Sequence, residues 1–144
     1  MSKSNNYLKK IKDLASKNLA EGEAFLQNNA TRSEVTCLPS GLQYEILITG
    51  EGKIPTRKDK ILCHYSGKLL SNEIFDSSYK RKRPEAFFVQ ELIKGWQEAL
   101  TLMPVGSKWI LYIPHHLAYG FEALTPSSGG NCTLIFEMEL ISII

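Results

Sequence analysis

Cysteine is scarce in this chain and follows no pairing pattern. Cys37, Cys63 and Cys132 are odd in number, widely spaced and without a CxxC pair, which argues against a disulfide framework or a zinc knuckle and fits a reducing compartment. Long apolar runs are also missing, and no stretch approaches the roughly 20 residues needed to span a bilayer. Residues 1–10 carry positive charge with no apolar segment behind it, so no signal peptide is visible. A cytoplasmic location is therefore expected, with the periplasm or the cell surface as the alternative for a chain trimmed of a leader. Nor does one sign of charge dominate: 17 Lys and Arg against 15 Asp and Glu leave a formal +2, so no bulk attraction to nucleic acid or a membrane is expected. What remains is 144 residues, 43% of them hydrophobic, enough for one domain with a proper core and an appendage.

The chain is organised around residues 91–100, Glu-Leu-Ile-Lys-Gly-Trp-Gln-Glu-Ala-Leu. The spacing predicts one short amphipathic helix, with Leu92, Trp96 and Leu100 on one face, Ile93 beside them, and Glu91, Lys94 and Glu98 pointing elsewhere. Strand-like runs flank it, so it is expected to lie across a sheet and plug its concave face. Gly95 in mid-helix is unfavourable by about 1 kcal/mol relative to alanine, which implies a neighbour packed close to the backbone beside Trp96.

Residues 6–27 read as a helix, with Leu8, Ile11, Leu14, Ala15, Leu19, Phe25 and Leu26 recurring at helical spacing. Its apolar stripe must be buried, either on the rest of the chain or against a second copy; the sequence leaves both open. A boundary near residues 31–35 divides the chain into an N-terminal helical segment, 1–33, and a main domain, 34–144. Strands are predicted over 42–48, 61–70, 74–76, 86–89, 108–113 and 132–144. In the last of these Leu134, Phe136, Met138 and Leu140 take one face and Glu137 and Glu139 the other. Short connections between strands imply antiparallel pairing, and the fold class is α+β: an antiparallel half-barrel sheet wrapped around one short helix, with an N-terminal helical appendage.

Tyr65, Phe75, Asp76, Trp96, Tyr119 and Phe136 fall at the edges of predicted strands, the helix and the long loop of residues 115–131, and together would form an aromatic pocket with a few polar groups. Five blocks carry a family resemblance: His64-Tyr65-Ser66-Gly67; Ile74-Phe75-Asp76-Ser77-Ser78; Leu92-Ile93-Lys94-Gly95-Trp96; Ile113-Pro114 with Leu117-Ala118-Tyr119-Gly120; and the run from Thr133 to Leu140. In order and spacing they resemble the FKBP-type peptidyl-prolyl cis/trans isomerases over residues 38–144. Residues 38–44, Leu-Pro-Ser-Gly-Leu-Gln-Tyr, look like the bacterial branch related to macrophage infectivity potentiator, whose members carry an N-terminal helical dimerisation region.

The resemblance implies an isomerase acting on proline-containing unfolded or partly folded polypeptides, needing no cofactor and no metal. Trp96 would be the floor of an apolar proline pocket, with Tyr65, Phe75, Leu92, Ile93 and Phe136 as walls. Asp76 and Tyr119 would stand at the mouth, Arg81 near Asp76, and Ala118 beside Tyr119 in contact with substrate. A homodimer through the N-terminal helix is implied too, as is a macrolide ligand, with affinity reduced by departures at the rim. Ser127-Ser128-Gly129-Gly130 stands where the family commonly has an apolar residue followed by Pro-Pro, so an apolar lip is expected to be lost and the loop to be easier to disorder. Glu85 stands where some members place a pocket aromatic.

Other readings are weaker. Cys63-His64 and His115-His116 are adjacent pairs that, on strands, would point to opposite faces and cannot chelate simply. Cys63 has no base assigned to it and reads as a small buried hydrophobe. The basic run of residues 80–83 reads as a solvated turn. Two functional classes follow: an isomerase, or a catalytically weak binding or chaperone module of the same fold.

Overall fold

The structure, a computed structural model, describes residues 3–144. A long helix, α1 (Lys3–Asn29), is followed by strands β1 (Val35–Cys37), β2 (Gln43–Ile48), β3 (Lys60–Leu69), β4 (Ile74–Ser77) and β5 (Glu85–Phe88). A short helix, α2 (Lys94–Leu100), then leads to β6 (Lys108–Ile113) and β7 (Leu134–Ile143). All pairings are antiparallel, and the strands form one sheet in the order β1-β2-β6-β7-β3-β4 with β5 also paired to β3. The sheet closes around α2 as an α+β half-barrel, the architecture expected from the sequence.

Strand β3 shows why the pocket forms where it does. Alternation along it puts Ile61, Cys63, Tyr65, Gly67 and Leu69 on the buried face. One edge pairs with β7 along the whole strand, but the other is divided, residues 60–63 pairing with β5 and residues 66–68 with β4. At the changeover Tyr65 N donates to Ser78 Oγ at 2.7 Å and Ser78 N donates to Tyr65 O at 2.9 Å. The chain from β4 to β5 therefore loops out beside Tyr65, carrying Arg81 with it.

The core lies between this inner face and α2, where Leu100, Ala99, Met103, Leu111, Ile113, Leu134, Met138 and Leu140 are all inaccessible to solvent. A Cβ on Gly95 would stand 2.7 Å from Ile113 Cγ2, so the close neighbour that the mid-helix glycine implies is a side chain of β6. One boundary differs from the sequence reading. The helix begins at Lys94, not Glu91: Val89–Glu91 form a 3-10 turn, and Leu92 and Ile93 are extended, with ψ of 168° and 153°. Leu92 and Ile93 thus reach the pocket from the approach to the helix rather than from its face. The predicted period failed there because a turn that returns its apolar residues to the same side looks helical over four residues.

Helix α1 lies on the outer face of the sheet. Ala15 is buried, Leu14, Leu19, Phe25 and Leu26 are half-buried, and the Phe25 ring sits 5.9 Å from that of Tyr112. Polar contacts fix its end. Asn29 Nδ2 donates to Gln43 Oε1 at 2.9 Å, Gln43 Nε2 donates to Leu26 O at 2.9 Å, and Arg32 reaches Asn29, Tyr112 and Glu45 at 2.9, 3.1 and 3.0 Å. The stripe of α1 is therefore covered by its own chain from Leu14 onward, while Tyr7 and Leu8 stay exposed. Strand β6 is buried on both sides for this reason, with Leu111 facing α2 and Tyr112 facing α1.

Candidate functional site

Tyr65, Phe75, Asp76, Phe87, Glu91, Leu92, Ile93, Trp96, Tyr119 and Phe136 line a single cleft of about 250 Å³. Trp96 forms its floor, 4% exposed, held by edge-on contacts with Tyr65 (5.0 Å between centroids), Phe136 (5.0 Å) and Phe87 (5.9 Å). Phe75 and Phe136 meet edge to face at 5.5 Å to make one wall. That wall depends on Gly67: a Cβ there would lie 2.5 Å from Phe136 and 2.7 Å from Phe75. The Trp96 Nε1 hydrogen is buried and has no hydrogen-bond partner among the described residues.

Three residues close the polar side of the mouth into a ring. Tyr65 Oη donates to Asp76 Oδ2 at 2.7 Å, Arg81 Nη1 donates to Asp76 Oδ1 at 2.6 Å, and Arg81 Nη2 donates to Tyr65 Oη at 2.9 Å. Arg81 is steadied from outside by Glu85 at 3.2 Å and lies over the Tyr65 ring, 5.7 Å from its centroid. Glu85, expected to stand in place of a pocket aromatic, is thus the outer support of Arg81. Burial, and then the bond to Asp76, push the Tyr65 hydroxyl up to about 12; the bonds to Asp76 and Tyr65 raise Arg81. Tyr119 is also raised, by burial and by the charge of Asp76. The phenols stay protonated and the guanidinium stays charged over the physiological range, so Tyr119 can donate a hydrogen bond at this rim.

Of the residues singled out in the sequence, Tyr65, Phe75, Asp76, Leu92, Ile93, Trp96, Tyr119 and Phe136 come together in the cleft, and Arg81 joins through Asp76. Ala118 does not line it; it is half-buried against the core. Phe87 and Glu91 do line it and were not anticipated. In Ala86-Phe87-Phe88-Val89 two adjacent aromatics must face opposite ways, and only the register with β3 tells that Phe87 turns inward.

Ser127-Ser128-Gly129-Gly130 stands elsewhere. Instead of a lip on the aromatic cleft, Ser127 and Ser128 line a separate cleft of about 210 Å³ with Leu14, Asn18, Glu21 and Thr133. The segment is also well tied, with Ser128 Oγ accepting from Leu124 N and Thr125 N at 3.0 Å each. The expectation of a loosened lip is corrected: the glycines lie under α1.

The remaining candidates take structural roles. His64 Nδ1 lies 2.8 Å from Ser78 Oγ and its ring stacks on Tyr79 at 4.6 Å. His115 and His116 occupy a 3-10 turn, not a strand, and the His116 Nε2 hydrogen is directed at Ser40 O at 2.8 Å. Cys63 is wholly buried, its thiol pushed up to about 12 by burial and by Glu85. Among the described residues, no cluster of three or more His, Cys, Asp or Glu could hold a metal ion, and no helix is long and apolar enough to cross a membrane.

Comparison with known proteins divides the chain between residues 46 and 51. The family described as "FKBP-type peptidyl-prolyl cis-trans isomerase" matches residues 51–141, and the one described as "Domain amino terminal to FKBP-type peptidyl-prolyl isomerase" matches residues 1–46. The FKBP-type 22 kDa peptidyl-prolyl cis-trans isomerase of Escherichia coli (strain K12) is 49% identical over 125 residues, 87% of this chain and 61% of that protein. Outer membrane protein MIP of Legionella longbeachae is 43% identical over 129 residues, 90% of this chain and 55% of that protein. The crystal structure of FkpA from Escherichia coli superposes with a TM-score of 0.91 at 33% identity, covering 97% of this chain and 65% of that one. The chain thus spans a little over half the length of the curated relatives it matches. The expected cytoplasmic location gains no support from them, one being named an outer membrane protein.

Proposed function

The chain belongs to the FKBP-type peptidyl-prolyl cis-trans isomerase family, and on that premise we propose that it accelerates cis/trans rotation about X-Pro bonds of unfolded or partly folded polypeptides. The single observation that carries the reading is the aromatic cleft: a buried indole floor walled by Phe75, Phe87, Phe136 and Tyr65, with the bonded ring of Tyr65, Asp76 and Arg81 at its mouth.

The chemistry suits the site. Rotation about a peptide bond meets a barrier of about 18–20 kcal/mol because planarity carries the amide resonance. The resonance form is charge-separated and water favours it, so moving the amide into an apolar cleft weakens the partial double bond. A surface that packs better on the twisted amide than on either planar isomer lowers the barrier further. Bringing tens of seconds down to milliseconds takes roughly ten-thousand-fold, about 5 to 6 kcal/mol, a sum within reach of packing and one or two hydrogen bonds. The proline ring sits on Trp96 between Phe75 and Phe136, and Tyr119 donates to a substrate carbonyl. Asp76 and Arg81 hold the Tyr65 ring in place and take no part as acid or base. Leu92 and Ile93 bear on the residue before proline.

Residues 34–144 form the isomerase unit and residues 1–33 a docking segment. The first two turns of α1, with Tyr7 and Leu8 exposed, serve as the contact for a second copy, which gives a homodimer. Macrolides occupy the same aromatic cleft. The relative named an outer membrane protein supports a location outside the cytoplasm for the whole protein. The test is the relaxation of short X-Pro peptides from a cis-enriched state with and without the protein. Catalysis weakened in Asp76→Ala and kept in Cys37→Ser supports the reading; folded wild-type protein that does not accelerate relaxation contradicts it and favours a binding module.

A further inference from the structure

Asn18 lies midway along α1, half-buried, on the side facing the long loop between β6 and β7. Its amide nitrogen donates to two loop carbonyls at once, Ser128 O at 2.7 Å and Gly130 O at 2.8 Å. An amide, with two hydrogens on one nitrogen, is suited to that double task. Two further contacts join the same elements. Asn131 Nδ2 donates to Ala15 O at 3.4 Å, and Gly129, at a φ of +71°, comes so near that a Cβ would stand 2.5 Å from Leu14 Cγ.

The far end of this loop is the rim of the aromatic cleft. Asn131 N donates to Gly120 O at 2.7 Å, drawing the two ends of the loop together, and Gly120 N donates to His115 O at 2.9 Å. Tyr119 immediately precedes Gly120 and lines the cleft, 41% exposed and with no side-chain hydrogen bond among the described residues. A continuous path of hydrogen bonds and chain therefore runs from Asn18 through Gly130, Asn131 and Gly120 to Tyr119. The loop between contains glycines at 120, 129 and 130, which favour many conformations when released.

We propose that Asn18 is a positioning residue for isomerisation: by holding the carbonyls of Ser128 and Gly130 it fixes the loop that sets Tyr119 at the mouth of the cleft, so the isomerase unit depends on a residue of the N-terminal helix. This rests on the reading of Tyr119 as a substrate-contacting group given above. The residue's effect passes through the loop, and Asn18 itself touches no substrate.

The test is a double-mutant cycle in the full chain, with Asn18→Leu, Tyr119→Ala and both together, reading kcat, KM and the melting temperature for a short X-Pro peptide. Asn18→Leu is expected to raise KM about three- to tenfold with kcat changed less than about twofold, as two net hydrogen bonds of ordinary strength allow. In the Tyr119→Ala background the same substitution is expected to change nothing more. An equal loss in both backgrounds, or no loss in a folded Asn18→Leu chain when Tyr119→Ala is impaired, overturns the positioning role and leaves the isomerase site standing. A folded Tyr119→Ala chain with wild-type kinetics instead refutes the rim role of Tyr119, and the present inference with it. Should Asn18→Leu fail to fold, Asn18→Ser keeps one donor and is expected to fall between wild type and Tyr119→Ala; wild-type KM in that variant counts against the proposal.

Discussion

Tyr65 and Asp76 are joined by a 2.7 Å hydrogen bond across the mouth of the cleft, and Arg81 bonds to both of them. The bond sets the tilt of a ring that also touches Trp96, Phe87 and Phe136. Removing the carboxylate in Asp76→Ala leaves Arg81 without its closest partner and Tyr65 without an acceptor. Activity is expected to fall about tenfold and stability by about 1–2 kcal/mol, the range for a charge-assisted bond that is partly exposed. Peptide isomerisation and urea unfolding of the same sample check both figures.

The pH profile follows from the same ring. Tyr65, pushed up to about 12 chiefly by burial, stays protonated, and Arg81 is raised further by its bonds to Asp76 and Tyr65. The isomerisation rate is expected to be flat from about pH 6 to 9, the range in which neither group titrates. Stability has a different window. A phenol whose folded pKa lies above its unfolded value near 10 contributes fully below pH 10, and that contribution is lost as pH rises through 12; Tyr79, also at about 12, adds in the same sense. Cys63, pushed up to about 12 from an ordinary thiol value near 9, adds in the same sense, so unfolding midpoints measured from pH 7 to 12 should hold steady to about pH 9 and decline above it.

Gly67→Ala tests the wall. The added methyl group would crowd Phe136 and Phe75 together, at 2.5 and 2.7 Å from the two rings. The substitution is expected to reduce activity more than tenfold while costing about 1–3 kcal/mol, since β3 can shift slightly but the edge-to-face pair cannot keep its geometry. A folded variant with unchanged rate would mean that the Phe75–Phe136 wall is not used.

Cys132 reports on the docking of α1. Its sulfur lies 3.7 Å from Asn18 Nδ2 and 3.4 Å from Gly129 O, and burial raises its pKa. Cys37 is exposed and Cys63 wholly buried. In Cys37→Ser protein, Cys132 is expected to react at least about tenfold more slowly with a thiol reagent than Cys37 does in the wild type. The rate should not depend on protein concentration, because the helix that covers it belongs to the same chain.

The sequence made the inner face of the sheet legible, because β3 and β7 alternate and Gly67, Trp96 and Phe136 belong to a recognisable register. It did not reveal which surface covers α1. A stripe such as Leu14, Leu19 and Leu26 states that it is buried without stating by what, and the answer lay in polar residues of no obvious pattern: Asn18, Asn29, Gln43 and Arg32. The Ser-Ser-Gly-Gly segment was misread for a related reason. Glycines that permit close approach and glycines that permit disorder are the same letters, and only the position of Leu14 over Gly129 separates them. The start of α2 slipped by three residues because Leu92 and Ile93 face the cleft from an extended backbone whose side chains mimic a helical stripe.

The central claim is that isomerisation happens on the indole of Trp96, and the most direct measurement is the cis-to-trans relaxation of an X-Pro peptide with wild-type protein and with Trp96→Leu. Leucine fills part of the space, so the variant should remain folded with a loss of about 2–4 kcal/mol, to be verified by its melting curve. Catalysis by the wild type that falls at least about thirtyfold in the folded variant is the predicted result. Equal rates for the two folded proteins would contradict the account, because the floor of the cleft would then play no part in turning the bond.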